Sequence, residues 1–203
     1  AMAMMVSTRL WLGGAISQKR DLNLIQELAN QLRQIALCRK MVLAVDGLVS
    51  YVKAFRRAFR TPLKDRKGGR PRLIAWQDVA IVQVVKKRKD GKLHIERRIV
   101  QGCKEMIARL IEKTQGGGGA INTAYIERLN ATFRQRLACL ARKTRYLAQQ
   151  AETLTAGMYT VGNFYNFCAY HHSLRLKLSV GRRGHRWVQR TPAMAARLTD
   201  HCW

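Results

Sequence analysis

Acidic residues are scarce in this chain: 12 Asp and Glu stand against 38 Lys and Arg in 203 residues, for a formal net charge of +26. A globular chain this basic meets a polyanion, because its field attracts phosphates and releases the counterions condensed on them. Nucleic acid is the leading partner, ahead of an anionic membrane surface or a ribosome. Long apolar runs are also missing. None approaches the roughly 20 residues that cross a bilayer, so no membrane-spanning segment is expected. Paired cysteines are missing as well. Cys38, Cys103, Cys139, Cys168 and Cys202 are odd in number and far apart, with no CxxC pair. That pattern argues against a zinc site and against a disulfide framework, and fits thiols in a reducing cytoplasm. The start of the chain lacks the basic-then-apolar layout of a signal peptide. It does not open with methionine either, as expected of a fragment or a processed chain. No internal repeat is visible.

What is present is globular. Hydrophobic residues make up 47% of the chain, enough to build a core for one domain, or for one domain with an appendage. Val6 to Ser17 alternates like a strand that Gly13-Gly14 bulges or ends. Asp21 caps a helix whose apolar positions Leu24, Ile25, Leu28, Leu32 and Ile35 recur at helical spacing. Met41 to Val45 is a short, wholly apolar run, the pattern of a central strand buried on both faces. It ends at Asp46-Gly47. Leu48 to Arg60 returns to helix, with Tyr51, Val52, Phe55 and Phe59 on one side. This strand–helix order predicts an α/β sheet flanked by helices.

Thr61 to Arg72 reads as a basic loop punctuated by Pro62, Gly68-Gly69 and Pro71. Val79 to Val85 and Leu93 to Val100 are strand-like, and Asp90-Gly91 between them is a tight-turn dipeptide, so a hairpin is expected. Its tip carries Lys86, Lys87, Arg88, Lys89 and Lys92. Cys103 to Lys113 reads as helix, and Gly116 to Gly119 as a break. Asn122 or Thr123 caps the next helix. A long helix is expected from about Gln149 to His172, then a basic loop from Lys177 to Arg190. A last short helix opens with Thr191 at its N-cap and Pro192 at N1.

Two carboxylates draw attention. Asp46 stands where a buried strand stops, the end at which functional groups gather in open α/β sheets. A plain helix N-cap explains it equally well. Glu127 lies on the helix after Asn122, with Asn130 at i+3 and Arg134 at i+7 on its face, while Leu129, Phe133 and Leu137 form the apolar stripe. A carboxylate, an amide and a guanidinium on one exposed face suit a metal beside a phosphate. The bland alternative is a surface Glu with an intrahelical Arg neighbour, worth at most about 0.5 kcal/mol. Arg142, Lys143 and Arg145, just beyond this helix, are expected to contact a DNA backbone, which confers salt dependence without base specificity. Arg182, Arg183 and Arg186 beside Trp187 are further candidates for such contacts. His171 and His172 fit metal or base contact, and fit a structural role as well.

Asn122 to Arg136 resembles the segment carrying the last acidic residue of DDE transposases and integrases of bacterial insertion sequences. The run Tyr165-Asn166 to His171-His172 and Leu174, followed by Thr191-Pro192, is similar to their tail in order and spacing. Asp46, before a helix bearing Tyr51, looks like their second acidic residue. The resemblance spans about residues 6 to 203 and departs at Ala169, where many relatives have Arg. It implies an RNase-H-like fold, a mixed sheet flanked by helices, with a helical C-terminal part. It also implies three carboxylates holding two Mg²⁺ or Mn²⁺ ions for strand cleavage and transfer.

Asp46 and Glu127 become the second and third carboxylates, with Asn130 and Arg134 at the DNA. They are 81 positions apart, and a β-hairpin and helix at about 73–113 accounts for the excess as an insertion, or as the last strand of the sheet plus an extension. The expected division is a partial catalytic core over 1–145 and a C-terminal extension over 146–203. The strand at Val6 to Ser17 corresponds to the third of the sheet, and no acidic residue precedes Asp21. The chain is therefore expected to be N-terminally truncated, without its first catalytic Asp, and inactive alone in strand cleavage. The implied partners are insertion-sequence ends and target DNA, bound by a dimer or larger assembly in the cytoplasm, at the nucleoid of a bacterium or archaeon. Two alternatives stay open: a non-catalytic DNA-binding remnant, and a basic RNA- or ribosome-associated protein.

Overall fold

The structure is a computed structural model that describes residues 1–36, 40–63, 71–114, 120–180 and 184–203. In chain order the first elements are β1 (Met2–Met4), β2 (Trp11–Gly14), α1 (Leu22–Ile35), β3 (Met41–Asp46), α2 (Val49–Ala58), β4 (Arg60–Leu63), β5 (Arg72–Ala75), β6 (Val79–Lys89) and β7 (Lys92–Gln101). They are followed by α3 (Lys104–Lys113), α4 (Ala124–Arg136), α5 (Ala151–Asn163), β8 (Leu176–Val180), β9 (Gly184–Val188) and α6 (Pro192–Ala195). The fold is mixed α/β and its largest sheet is mixed. The chain packs into two compact units, one formed by Ala1 and Ser17–Ala124, the other by Met2–Ile16 and Tyr125–Trp203.

The apolar run at Met41 forms a strand of the first unit, but not the central one buried on both faces that was expected: only Val45 is buried, Ala44 is exposed, and β6 takes the central place. As β3 the run pairs in parallel with β6, and β6 pairs antiparallel with β7, giving the order β3-β6-β7. Alternation along β6 sends Ala80 and Val82 to one face, where they cluster with Ile107 of α3 and with Val42. Val79 and Ile81 take the other face and are as deeply buried. The expected hairpin is present, and Asp90 and Gly91 both adopt positive φ, 51° and 72°, as a tight hairpin turn of this kind requires. It is a direct continuation of the sheet, since β6 is the central strand. Asp21 caps α1 by accepting from the Leu24 amide at 3.0 Å. Along α2 and its C-cap, Tyr51, Phe55 and Phe59 form a stacked aromatic row that ends edge-on against Trp76, with centroids 5.4 Å apart.

Several expectations change. Val6 to Ser17 is not a sheet strand. Arg9 turns into the left-handed region at φ 60°, so only Trp11–Gly14 stays extended, and it folds back on Met2–Met4 as a two-stranded hairpin. It pairs with no strand of the β3-β6-β7 sheet. The ends of the expected loop at Thr61 to Arg72 pair as β4 and β5; residues 64–70, with Gly68-Gly69, lie outside the described residues. So do Gly116 to Gly119 and Cys38. The expected loop at Lys177 to Arg190 is the β8–β9 hairpin, with Arg182 and Arg183 outside the described residues. Its charges masked the period-2 pattern of Leu176, Leu178 and Val180. The long helix to His172 ends earlier. α5 passes into a π-helical turn at Phe164–Cys168, closed by the Ala169 amide donating to the Phe164 carbonyl at 3.1 Å.

The core of the second unit gathers Trp11, Leu129, Phe133, Met158, Val161 and Tyr165. Trp11 is held at two levels. Asn166 accepts from its amide and donates to its carbonyl, each at 2.9 Å. Its ring lies so close to α5 that a Cβ on Gly162 would come within 2.2 Å of it. Thr191 caps α6 by accepting from the Met194 amide at 3.2 Å, with Pro192 in the first turn. Among the described residues, no helix is long and apolar enough to cross a membrane.

Gly162→Ala tests this packing. Ala gains about 1 kcal/mol of helix propensity over Gly, but overpacking against a rigid ring costs roughly 1–3 kcal/mol. Net destabilisation is expected, read as a lower urea midpoint. A variant as stable as wild type would refute the Trp11–Gly162 contact.

Candidate functional site

Asp46 belongs to the first unit. It is the last residue of β3, opposite Val84 of β6. The strand below it is paired and its side chain reaches the surface, 44% exposed. One oxygen accepts from the Leu48 amide at 2.9 Å, and the other from an Arg20 Nη at 2.7 Å. The carboxylate stands at the carboxyl end of a sheet strand; it is not the expected helix N-cap, a position Leu48 takes, but accepts from the Leu48 amide just before α2. Beside it, burial and then the Asp46 charge push the Tyr51 phenol above its ordinary value, with Arg20 opposing. Gly47 is not demanded by space, since a Cβ there would meet Val85 at an ordinary 3.5 Å.

Glu127 belongs to the second unit, exposed in the first turn of α4. Asn122 starts this segment by accepting from the Ala124 amide at 3.0 Å. A carboxylate in a first helical turn is favoured by the helix dipole whatever else it does. Leu129 and Phe133 are buried as the apolar stripe requires. On the remaining surface Arg134 is exposed and Asn130 half-buried.

Arg142, Lys143 and Arg145 are all exposed. Lys143 sits at φ 55°, which turns the chain sharply between its basic neighbours. Tyr146 and Leu147 follow at 76% exposure each. An exposed aromatic beside cations is the makeup of a nucleic-acid surface, where rings stack on bases and cations meet phosphates. Tyr146 and Leu147 were not singled out from the sequence, because nothing there separates an exposed aromatic from a core one.

His171 and His172 part company. His172 is exposed, whereas His171 is half-buried, its ring edge-on to Tyr165 with centroids 4.6 Å apart. Its backbone amide donates to the Arg190 carbonyl at 3.1 Å. Burial pushes the Tyr165 phenol up to about 12. Burial, and then the Arg9 charge, hold His171 below the ordinary histidine value. Arg9, unmarked in the sequence, also places its guanidinium 3.5 Å above the Tyr125 ring. The Tyr165-Asn166-His171 run is thus tied into the packing: Tyr165 in the core, Asn166 on the Trp11 backbone, His171 against Tyr165.

Among the described residues, no group of three His, Cys, Asp or Glu gathers as a metal would require. At Asp46 a cation has to displace Arg20 from a carboxylate oxygen. The donors around Asp46 among the described residues therefore fall short of a two-ion centre. Compared with known proteins, the chain matches no family model, no curated protein and no solved structure.

His171 sets a pH dependence. Its folded-state pKa lies below 6.5, so the unfolded chain takes up the proton first as pH falls. Its contribution is complete above about 6.5 and declines below that until pH reaches the folded-state value. The urea midpoint is expected to fall between pH 7.5 and 5.5, and by less in His171→Gln. An identical pH dependence in both proteins would refute this role.

Proposed function

We propose that the chain acts on DNA as a DDE-type transposase domain of an insertion sequence, in strand cleavage and transfer. The observation that carries the proposal is Asp46, a surface-reaching carboxylate at the carboxyl end of a strand paired in parallel within a mixed sheet. A carboxylate so placed in an open α/β sheet is well situated for a ligand. The motif resemblance assigns Glu127 the third carboxylate, and the scarcity of acid in so basic a chain fits a polyanionic substrate. In that scheme the substrate is a phosphodiester, cut by in-line attack at phosphorus. Arg134, Arg142, Lys143 and Arg145 neutralise the backbone, and Asn130 contacts it. Tyr146 stacks on a base.

One observation favours a second reading, a DNA-binding protein that does not cut. Arg20 already neutralises Asp46 at 2.7 Å, and a structural ion pair needs no further partner. The two readings separate in one assay. The natural full-length protein is incubated with supercoiled plasmid in Mg²⁺ and in Mn²⁺, beside Asp46→Asn and Glu127→Gln. Transposase chemistry predicts nicking that falls by a hundredfold or more in each variant while DNA binding persists. Binding without nicking in either metal supports the second reading. Preferential binding of structured RNA over duplex DNA would sink both.

A further inference from the structure

We propose that the free end of the β6–β7 hairpin is a DNA-binding arm that enters the major groove of duplex DNA. The inference rests on the reading above that the chain acts on DNA, and adds the element that grips it.

The arm begins where the sheet stops. β3 pairs with β6 only as far as Asp46↔Val84. Beyond that point β6 and β7 continue alone for five pairs, from Val85↔Glu96 to Lys89↔Lys92. Lys86 to Lys89 and Lys92 to Ile99 are exposed. At about 3.4 Å per residue the free ribbon is roughly 17 Å long. Its base is firm, because Val79 to Val84 is buried, and its far end is closed by the tight turn at Asp90-Gly91.

The charge on the ribbon is arranged. Residues opposite each other across an antiparallel pair share a face. Lys87, Lys89, Lys92 and His94 therefore lie on one face, with Glu96 at its base, and Lys86 and Arg88 on the other with Leu93 and Ile95. Lys89 stands directly opposite Lys92, a like-charge pairing that weakens a hairpin. Near the base, Glu96 takes Arg98 at 2.5 Å and Lys87 at 3.5 Å. Toward the tip, Asp90 in the turn is the single carboxylate among Lys86, Lys87, Arg88, Lys89 and Lys92. A ribbon selected for its own stability alone would not oppose two lysines beside its turn; a polyanion lying against that face removes the penalty.

Size selects the groove. The two strands lie about 4.8 Å apart, and side chains widen the ribbon further. The major groove of B-DNA, about 12 Å wide and 8.5 Å deep, admits such a ribbon, whereas the minor groove, about 6 Å wide, does not. Double-stranded RNA has a deep, narrow major groove that side chains cannot read. Duplex DNA is therefore the partner that both the charge and the width of the arm fit.

The test measures the binding of a mixed-sequence duplex by fluorescence anisotropy across a NaCl series, with the full chain. Lys87→Gln, Lys89→Gln and Lys92→Gln are combined in one variant. A second variant, Lys19→Gln with Lys53→Gln and Lys113→Gln, removes the same charge elsewhere. Removing one lysine from a phosphate makes the slope of log K against log salt shallower by about 0.9. The arm variant is expected to lose roughly two to three units of slope, the control less than one, and duplex DNA to outcompete duplex RNA of the same sequence. Methylation interference on the unaltered protein gives an independent readout. Methylation at guanine N7, in the major groove, should block binding, and methylation at adenine N3, in the minor groove, should not. Equal slopes in the two variants, or interference confined to adenine N3, overturn the arm while leaving DNA binding intact. Absence of duplex binding by the wild type overturns the arm and the underlying reading together.

Discussion

The parallel pairing of β3 with β6 is the constraint on which the first unit depends. Met41 to Asp46 lies in register with Val79 to Val84 without a break. One residue of slip would send the buried set of β6 to the opposite faces. The cost would fall on both sides of the sheet, because Val79, Ala80, Ile81 and Val82 are essentially inaccessible. The same register sets two surface features at once. It stops β3 with the Asp46 carboxylate at the sheet margin, and it frees β6 and β7 to run on as a basic ribbon. The pairing that seats β6 in the core thus also determines where the polar chemistry emerges.

In the second unit the corresponding anchor is Trp11. A two-stranded hairpin is marginal by itself, and β1 with β2 is such a pair. Asn166 acts as an artificial strand edge for it, returning one donor and one acceptor to the backbone of Trp11. A buried amide satisfied this way costs little and defines a unique position, whereas an unsatisfied one is expensive. The π-helical turn brings Asn166 round to that backbone, and Gly162 lets the indole lie on the helix. Residues 155 positions apart in sequence are joined by this contact, so the packing of the second unit depends on a long-range pairing.

Elements with strong local signals were legible in the sequence. The Asp21 cap, the Thr191-Pro192 start, the Asp90-Gly91 turn and the strand at Met41, though not its place at the sheet's edge, each carry their own physical cause within a few residues. The alternation at Val6 to Ser17 misled, because a left-handed Arg9 leaves no trace in composition. The charged hairpin at Leu176 misled for another reason: lysine and arginine alternating with leucine on an exposed ribbon read as loop. At the candidate site, the exposed surface of α4 and the position of Asp46 were legible from spacing alone. The Arg20 partner of Asp46, the exposure of Tyr146 and the hold of Asn166 on Trp11 were not, since each is a matter of three-dimensional placement.

Several of the chain's few carboxylates are placed where backbone or charge calls for them. Asp21 caps α1, Asp90 makes the hairpin turn, and Glu105 and Glu152 stand in first helical turns. Asp46 and Glu96 each take an arginine. Carboxylates used this way neutralise little of the remaining surface. The cations at the tip of the ribbon and those from Arg142 to Arg145 then generate a field that a folded chain tolerates only at a cost in self-repulsion. A phosphate backbone removes that cost on binding, and the counterions it releases add to the gain. In the proposed complex with DNA, the charge that weakens the free protein becomes the charge that favours binding.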